Sequence, residues 1–401
     1  MTAIGLTETN TCVVTINIKG INTMGRYLYA VLRRIYGFYV SKFDGNFKND
    51  PNYNLQLIAE CFIERHSECY DSDLFKRICT SYNKAKIAQK DADTVYQVGN
   101  EWAPIYKKYM SEIMEVLKVS DFASMSRIYN NFMRESCSAG LHGIAGYERM
   151  TDNYFSGDVS LANARIYMKD VVYRYNIWNV EMGKDYDMAS LKGPLLGNPY
   201  GHYVDGVFLE SGSHYNHYYA TKINNLLKGI KHSSVLELGG GYGKMAYYLM
   251  RDSKNITYLD FDLPENYALT AFYLLSAFPN KKIALYGEVD LERDDLKDYD
   301  AILMPNFEID KMSANSIDLV FNSYSLAEME PKAINNYINI INRVSKKYIY
   351  HLNHTKYCAM SANDFLIDMN KFEIVRKAPA LWNKAINLAM DEFEFLYKTK
   401  H

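Results

Sequence analysis

Residues Val235–Lys244 read V-L-E-L-G-G-G-Y-G-K, and no other stretch limits the fold of this chain so strongly. An apolar run carrying one acid ends in a glycine cluster and leads into a helix-like segment, Met245–Met250. A buried parallel strand, a tight turn and a helix N-terminus produce that order. Gly239, Gly241 and Gly243 let the backbone turn sharply and let a ligand come closer than side chains would permit. Glu237 stands just before the turn, where a carboxylate can receive a ligand's cationic amine.

Two other glycine-rich loops compete for this stretch. A dinucleotide fingerprint starting at Gly239 needs glycine at 244, where Lys244 stands. Started at Gly241 it meets Ala246, which some members tolerate, so that reading stays open. A phosphate-cradling loop needs glycine at 238 and Ser or Thr at 245; Leu238 and Met245 fail both tests.

The residues after the turn support a nucleotide-like ligand. Ile256–Phe261 is a short β-rich run with Asp262 at its end, 19 positions after Gly243. That is the distance at which a second strand brings an acid to a ribose in doubly wound folds. Asp260 lies two positions earlier on the same face, so the two acids compete; the step Phe261-Asp262-Leu263-Pro264 resembles that of small-molecule O-methyltransferases, in which the aspartate before Leu-Pro holds the ribose hydroxyls, and this likeness favours Asp262. Pro264 suits the first turn of a helix, having a fixed φ and no donor to waste.

From residue 234 strands and helices alternate. The pattern predicts strands 235–238, 256–261, 282–286, 301–304, 317–322, 347–352, 372–377 and 393–398, and helices 244–250, 265–277, 331–344 and a short one near 361–369. This alternation argues an α/β doubly wound sheet with its ligand beyond the carboxyl ends of the strands. The first half reads as helices. Leu28, Leu32, Ile35 and Tyr39 recur at helical spacing, as do Leu55, Ile58 and Phe62. So do Ile105, Tyr109, Ile113, Val116 and Leu117, after which Ser120 reads as the N-cap of a helix carrying Phe122, Met125, Ile128 and Phe132. A further amphipathic stretch runs from Leu161 to Tyr175, and residues 11–18 alternate weakly as a strand would. Glycine and proline punctuation between Gly193 and Gly206 marks a boundary or irregular segment.

With 401 residues the chain accommodates two domains or one elaborated domain. A net charge of −2 with 23% charged residues gives no footprint for nucleic acid or an anionic membrane. No apolar run approaches a membrane span, and the expected location is cytoplasmic. Six scattered cysteines lack C-x-x-C spacing and indicate neither zinc nor a disulfide framework. The 36 tyrosines, in a chain also rich in Lys, Asn and Ile, are best explained by a coding bias; aromatic walls for a cationic or ring-shaped ligand are the alternative, and a count locates no site.

The spacing Glu237-x-Gly239-x-Gly241-x-Gly243 resembles the first motif of S-adenosylmethionine-dependent methyltransferases. In order along the chain, Gly197-Asn-Pro-Tyr-Gly, Asp205-Gly-Val-Phe, Tyr215-Asn-His-Tyr-Tyr219, the glycine stretch, Asp262-Leu-Pro, Asn322-Ser-Tyr-Ser-Leu-Ala-Glu-Met329 and His351-Leu-Asn-His354 resemble a family of bacterial sugar O-methyltransferases of surface-polysaccharide gene clusters. The likeness covers about residues 190–355 and is thin over the helical half. It implies a Rossmann-like, doubly wound class I methyltransferase domain over 196–401, opening on a connecting or lid segment (196–232), behind a mainly α-helical N-terminal domain over 1–195. It implies S-adenosyl-L-methionine as cofactor, contacted by Tyr215, Glu237, Gly239, Gly240, Gly241, Tyr242, Gly243, Asp260, Asp262, Leu263, Asn306, Asn322 and Ser323. For the adenine edge, Gly287-Glu288 is the alternative to Asn306. The implied acceptor is a sugar or sugar-nucleotide, with a homo-oligomer possible.

Methyl transfer to a hydroxyl is an in-line displacement that needs the oxygen positioned and its proton removed. Histidine suits that task near neutral pH. His354, His351, Glu328 and His217 are the catalytic candidates; for His351 a packed core role is the stronger reading, and for His217 a segment closing over the cofactor is as strong as catalysis. No ligand spacing demands a metal, so none is assigned, although acids near strand ends leave magnesium open. The rival readings are a methyltransferase for a phenol, amine or polyketide, and a non-catalytic binding protein that keeps the fold.

Overall fold

The computed structural model describes residues 60–66, 70–99, 102–141, 161–204, 206–356, 358–382 and 391–400, with single helical positions between 31 and 43. The expected strand 11–18, Leu28, Leu55 and Ile58 lie outside the described residues. Leu32, Ile35 and Tyr39 are helical but exposed, so that stripe does not enter the core.

The strands are β1 (Gly201–Val204), β2 (Val207–Glu210), β3 (Ser233–Leu238), β4 (Ile256–Asp262), β5 (Ile283–Ala284), β6 (Ala301–Pro305), β7 (Ile317–Ser323), β8 (Ser345–His354), β9 (Phe372–Pro379) and β10 (Glu392–Thr399). Eight of them form one sheet in the order β5-β6-β4-β3-β7-β8-β10-β9. Pairing is parallel from β5 to β8, and β10 joins β8 and β9 antiparallel. The chain leaves β3 for β4 on one side and later returns to place β7 on the other. That reversal opens a crevice at the carboxyl end of β3, the position where doubly wound sheets bind ligands. Strands β4 and β6 are buried along their whole length, as sheets covered on both faces require.

Among the described residues the longer helices are α1 (Ser72–Ala88), α2 (Ser111–Val119), α3 (Phe122–Tyr129), α4 (Leu161–Met182), α5 (Ser213–Leu226), α6 (Lys244–Asp252), α7 (Pro264–Ala277) and α8 (Pro331–Val344), and a short helix Trp102–Ile105 leads through a π turn into α2. Helices α6, α7 and α8 follow β3, β4 and β7. Pro264 and Pro331 occupy the first turns of α7 and α8. The N-terminal helices pack directly on the sheet's own helices. Phe75 of α1 stacks on Phe272 of α7 with centroids 6.0 Å apart, Ser81 hydrogen-bonds Tyr267, and Lys86 pairs with Glu265 at 2.8 Å. One continuous apolar cluster runs from Phe75, Ile113 and Tyr129 through Leu269 and Phe272 to Phe321.

Local chemistry moves several boundaries. Ser120 does not cap α3; it closes α2 with φ 58, and Asp121 caps α3 by accepting from Ser124 N at 3.1 Å. The strand expected over 282–286 shrinks to a two-residue pairing, because Leu285 N turns to the Glu288 carboxylate at 2.8 Å and Gly287 follows with φ 84. The helix expected near 361–369 is a single 3₁₀ turn, Ala362–Asp364, where the Ser361 hydroxyl accepts from Asn363 N and competes with helical bonding. The punctuated segment before α5 contains the antiparallel hairpin β1–β2. Cys79 and Cys137 are buried free thiols, and Cys12 and Cys69 lie outside the described residues. Among the described residues no helix is long and apolar enough to cross a membrane.

Candidate functional site

A cavity of about 600 Å³ opens at the carboxyl ends of β3, β4, β6, β7 and β8. Its floor is the turn from β3 into α6. Gly239, Gly241 and Gly243 have φ of 77°, 65° and 90°, a region side chains rarely adopt. A Cβ on Gly240 would stand 2.6 Å from Asp260 Oδ1, whereas one on Gly241 would meet nothing nearer than Leu141 at 3.8 Å. The turn is therefore packed from below and open on its cavity side.

Three carboxyls surround this turn. Register places Glu237 beside Asp260 on the neighbouring strand. Asp260 is fully buried, does not line the cavity, and accepts from Gly240 N at 3.0 Å. Its work is holding the turn. Asp262 does line the cavity, accepting from Leu263 N at 2.7 Å, Asn266 Nδ2 at 3.1 Å and Gly241 N at 3.1 Å. Glu237 lines it as well, 4% exposed, with the Tyr258 hydroxyl donating to Oε2 at 2.7 Å. Burial pushes the Glu237 carboxyl up to about 7 against the lowering effect of Tyr258, with the Asp262 charge adding to the rise. Burial also raises Asp262, and it raises Asp260 further with help from the other two acids.

The cavity also holds orphaned acceptors. Asn306 opens the turn after β6; its Nδ2 donates to Tyr96 O at 3.1 Å and Tyr337 OH at 3.0 Å, while Oδ1 is buried without a partner. Asn266, in the first turn of α7, likewise leaves Oδ1 unpaired. Both residues line the cavity. Asn266 went unread in the sequence, although it lies one helical turn after Asp262. Gly287-Glu288 does not line the cavity, and Glu288 pairs with Arg77 at 2.7 Å.

Beyond the glycine turn, Ser323, Tyr324, Glu328, His354 and Glu392 form the opposite end, joined by Tyr215 from α5. Tyr215 hydrogen-bonds Ser323. The His354 Nδ1 lies 3.0 Å from Asp391 Oδ2, and the Tyr324 hydroxyl donates to Glu392 Oε2 at 2.7 Å. Asn322 sits behind this wall, donating to Leu238 O at 2.9 Å and accepting from Asn353 at 2.9 Å, so it braces β7 rather than facing the cavity. Tyr242 and Leu263 line the cavity; Gly243 does not, and a Cβ there would press on Thr270 at 3.0 Å.

Two of the four catalytic candidates leave the set. His351 and His354 are three positions apart on β8 and so point to opposite faces. His351 stacks on Phe395 with centroids 4.7 Å apart, and burial drops its imidazole to about 3. His217 accepts from Trp178 Nε1 at 3.2 Å and packs on Tyr248, away from the cavity, with burial lowering it to about 4. Glu328 and His354 remain. The outer wall was invisible in the sequence: Thr94, Gln97, Val98, Trp102 and Leu141 come from the helical N-terminal region, and Trp102 Nε1 donates to Glu328 Oε2 at 3.3 Å.

No protein-family model and no curated protein matches the chain. Among solved structures it is similar to the N-methyltransferase NodS from Bradyrhizobium japonicum in complex with S-adenosyl-l-homocysteine, at 12% identity over 57% of this chain and 100% of that one, with a TM-score of 0.33. It is also similar to a SAM dependent methyltransferase from Aquifex aeolicus (14% identity, 47% of this chain and 93% of that one, TM-score 0.31). A third is the mitomycin 7-O-methyltransferase MmcR (11% identity, 47% and 55%, TM-score 0.32).

Proposed function

We propose that this chain is an S-adenosylmethionine-dependent methyltransferase that methylates a hydroxyl of a sugar or sugar-nucleotide in the cytoplasmic steps of surface-polysaccharide synthesis. One observation carries the reading: two buried carboxyls, Glu237 and Asp262, end adjacent parallel strands and flank an open glycine turn in one cavity. Burying carboxylates is costly unless positive charge or donors answer them. A ligand that brings an ammonium group to Glu237 and ribose hydroxyls to Asp262 answers both.

The residues present fit that cofactor. Asn306 and Asn266 offer buried acceptor oxygens without partners, suited to an amino group of the base and to a hydroxyl. Gly241 gives the only non-clashing approach along the turn. When bound, the cofactor supplies a methyl carbon carried on positively charged sulfur. The acceptor belongs at the opposite end, where Tyr215, Tyr324 and Trp102 offer aromatic faces and Glu328 and Glu392 offer acceptors for hydroxyl groups. His354, held by Asp391, is the residue on which loss of the acceptor's proton depends.

Calorimetry with S-adenosylhomocysteine tests the cofactor half. Wild type binds it, and Asp262→Ala and Gly241→Val each weaken binding at least tenfold while the circular dichroism spectrum is kept. No binding by wild type, or undiminished binding by both variants, defeats the assignment. Labelled methyl transfer to a panel of sugars, nucleotide sugars and phenols then identifies the acceptor.

A further inference from the structure

Among the described residues, four other than glycine carry a positive φ: Ser120, Asn198, Asn315 and Tyr324. Ser120 is the left-handed residue that closes α2, and asparagine tolerates that region better than most side chains do. Neither account covers Tyr324. Its φ of 65° and ψ of −35° fall outside even the left-handed helical region, where Ser120 sits at 58° and 44°. A bulky residue held there stores strain, and such strain persists only where the surroundings fix it.

Three strands and a helix fix it. Tyr324 follows β7, and its N donates to Leu352 O of β8 at 2.8 Å, while its O accepts from Ala327 N at 3.0 Å in the next turn. The side chain reaches β10, where the hydroxyl donates to Glu392 Oε2 at 2.7 Å. The ring lies 5.4 Å from the His354 ring and 6.3 Å from that of Tyr215 on α5, within 20° of parallel to the latter. One residue on, the Ser325 hydroxyl donates to Leu238 O at 3.0 Å, and a Cβ on Gly239 would stand 2.6 Å from it. Tyr324 thus lines the cavity, half-buried, where the glycine turn meets the far end.

We propose that Tyr324 selects the acceptor: its ring is a platform for a ring-shaped molecule, and the strained backbone is kept because it holds that platform beside the methyl donor. The inference rests on the reading of this end as the acceptor end, and it names the acceptor's class as a hydroxyl carried on a ring. A pyranose or an aromatic ring offers a flat face for an aromatic side chain to cover, and an open-chain alcohol offers none. The Tyr324 hydroxyl is engaged by Glu392, which fixes the angle of the ring. Positioning of this kind acts on the acceptor and leaves the grip on the donor unchanged.

Two measurements on full-length protein test it. Tyr324→Gly and Tyr324→Ala both remove the ring and differ by one methyl and by backbone freedom. In a helix or strand alanine is the more stable of the two. Here the glycine variant unfolds at the higher guanidinium concentration, because it relieves the strain. Binding is read by saturation-transfer NMR with S-adenosylhomocysteine present, using methyl β-D-glucopyranoside, UDP-glucose and phenol as ring probes and glycerol as the open-chain control. Wild type binds at least one ring probe and not glycerol. Both truncations weaken that binding at least tenfold and keep the affinity for S-adenosylhomocysteine within about twofold. Tyr324→Phe, which retains the ring, binds the probe at least threefold more tightly than Tyr324→Ala. An alanine variant as stable as the glycine one, glycerol bound as tightly as the rings, unchanged ring binding in both truncations, or a parallel loss of S-adenosylhomocysteine overturns the proposal. Wild type that binds S-adenosylhomocysteine but no ring probe loses this inference alone; wild type that does not bind S-adenosylhomocysteine loses the reading of the cavity with it.

Discussion

Burial pushes the Glu237 carboxyl up to about 7, and that makes the proposed cofactor site sensitive to pH. A raised folded value means the fold favours the protonated acid. The stability it contributes is fully present below about 4.5, its ordinary value, and is lost as pH rises through about 7. Ligand binding has the opposite sign, because only the ionised carboxylate attracts an amine. Affinity for S-adenosylhomocysteine therefore rises about tenfold between pH 6 and pH 8, as the ionised fraction of a group titrating near 7 does. Calorimetry at the two pH values checks this, and Glu237→Gln gives a weak affinity with a much smaller rise, since of Glu237 and Asp262 only the Asp262 carboxyl, raised to about 6, still titrates in the cavity. Sequence spacing found both acids of the second strand but could not rank them by environment. Asp260 and Asp262 share a face, and only the packing shows Asp260 turned to Gly240 N while Asp262 meets the cavity. The split between His351 and His354, by contrast, follows from strand alternation alone and was there to be read.

The β3–α6 turn shows why glycine spacing was so legible and caps were less so. Its glycines answer to backbone geometry and close approach, which leave a fixed mark on any sequence. Gly243 carries a positive φ of 90° and lies against Thr270 and Leu274 of α7. Gly243→Ala adds strain of roughly 1–3 kcal/mol and a steric contact, so thermal unfolding measured by calorimetry shifts down accordingly. Ser120 and Asp121 carry no such mark. Both are good capping residues side by side, and the choice depends on whether α2 closes in a left-handed residue. The β1–β2 hairpin was missed because its strands are four residues each, short enough to hide among glycines.

The helical N-terminal region and the sheet share their core. Phe75 is fully buried between them and stacks on Phe272. Phe75→Ala costs about 3–5 kcal/mol, the usual loss for emptying such a site. Guanidinium unfolding followed by tryptophan fluorescence and by circular dichroism should show one coincident transition displaced to lower denaturant; separate transitions would mean that the two regions unfold independently. Periodicity pointed to α2, α3 and α4 of the N-terminal region but not to α1 (Ser72–Ala88). It gave no sign that Trp102 and Leu141 reach the cavity, since contacts between distant segments leave no periodic trace. That arrangement divides the labour of recognition. On the reading proposed above, the donor is gripped at the strand ends, while part of the outer wall is drawn from residues 94–141. On that reading, descendants of this chain acquire new acceptors by altering a few wall side chains, with the proposed methyl donor kept throughout.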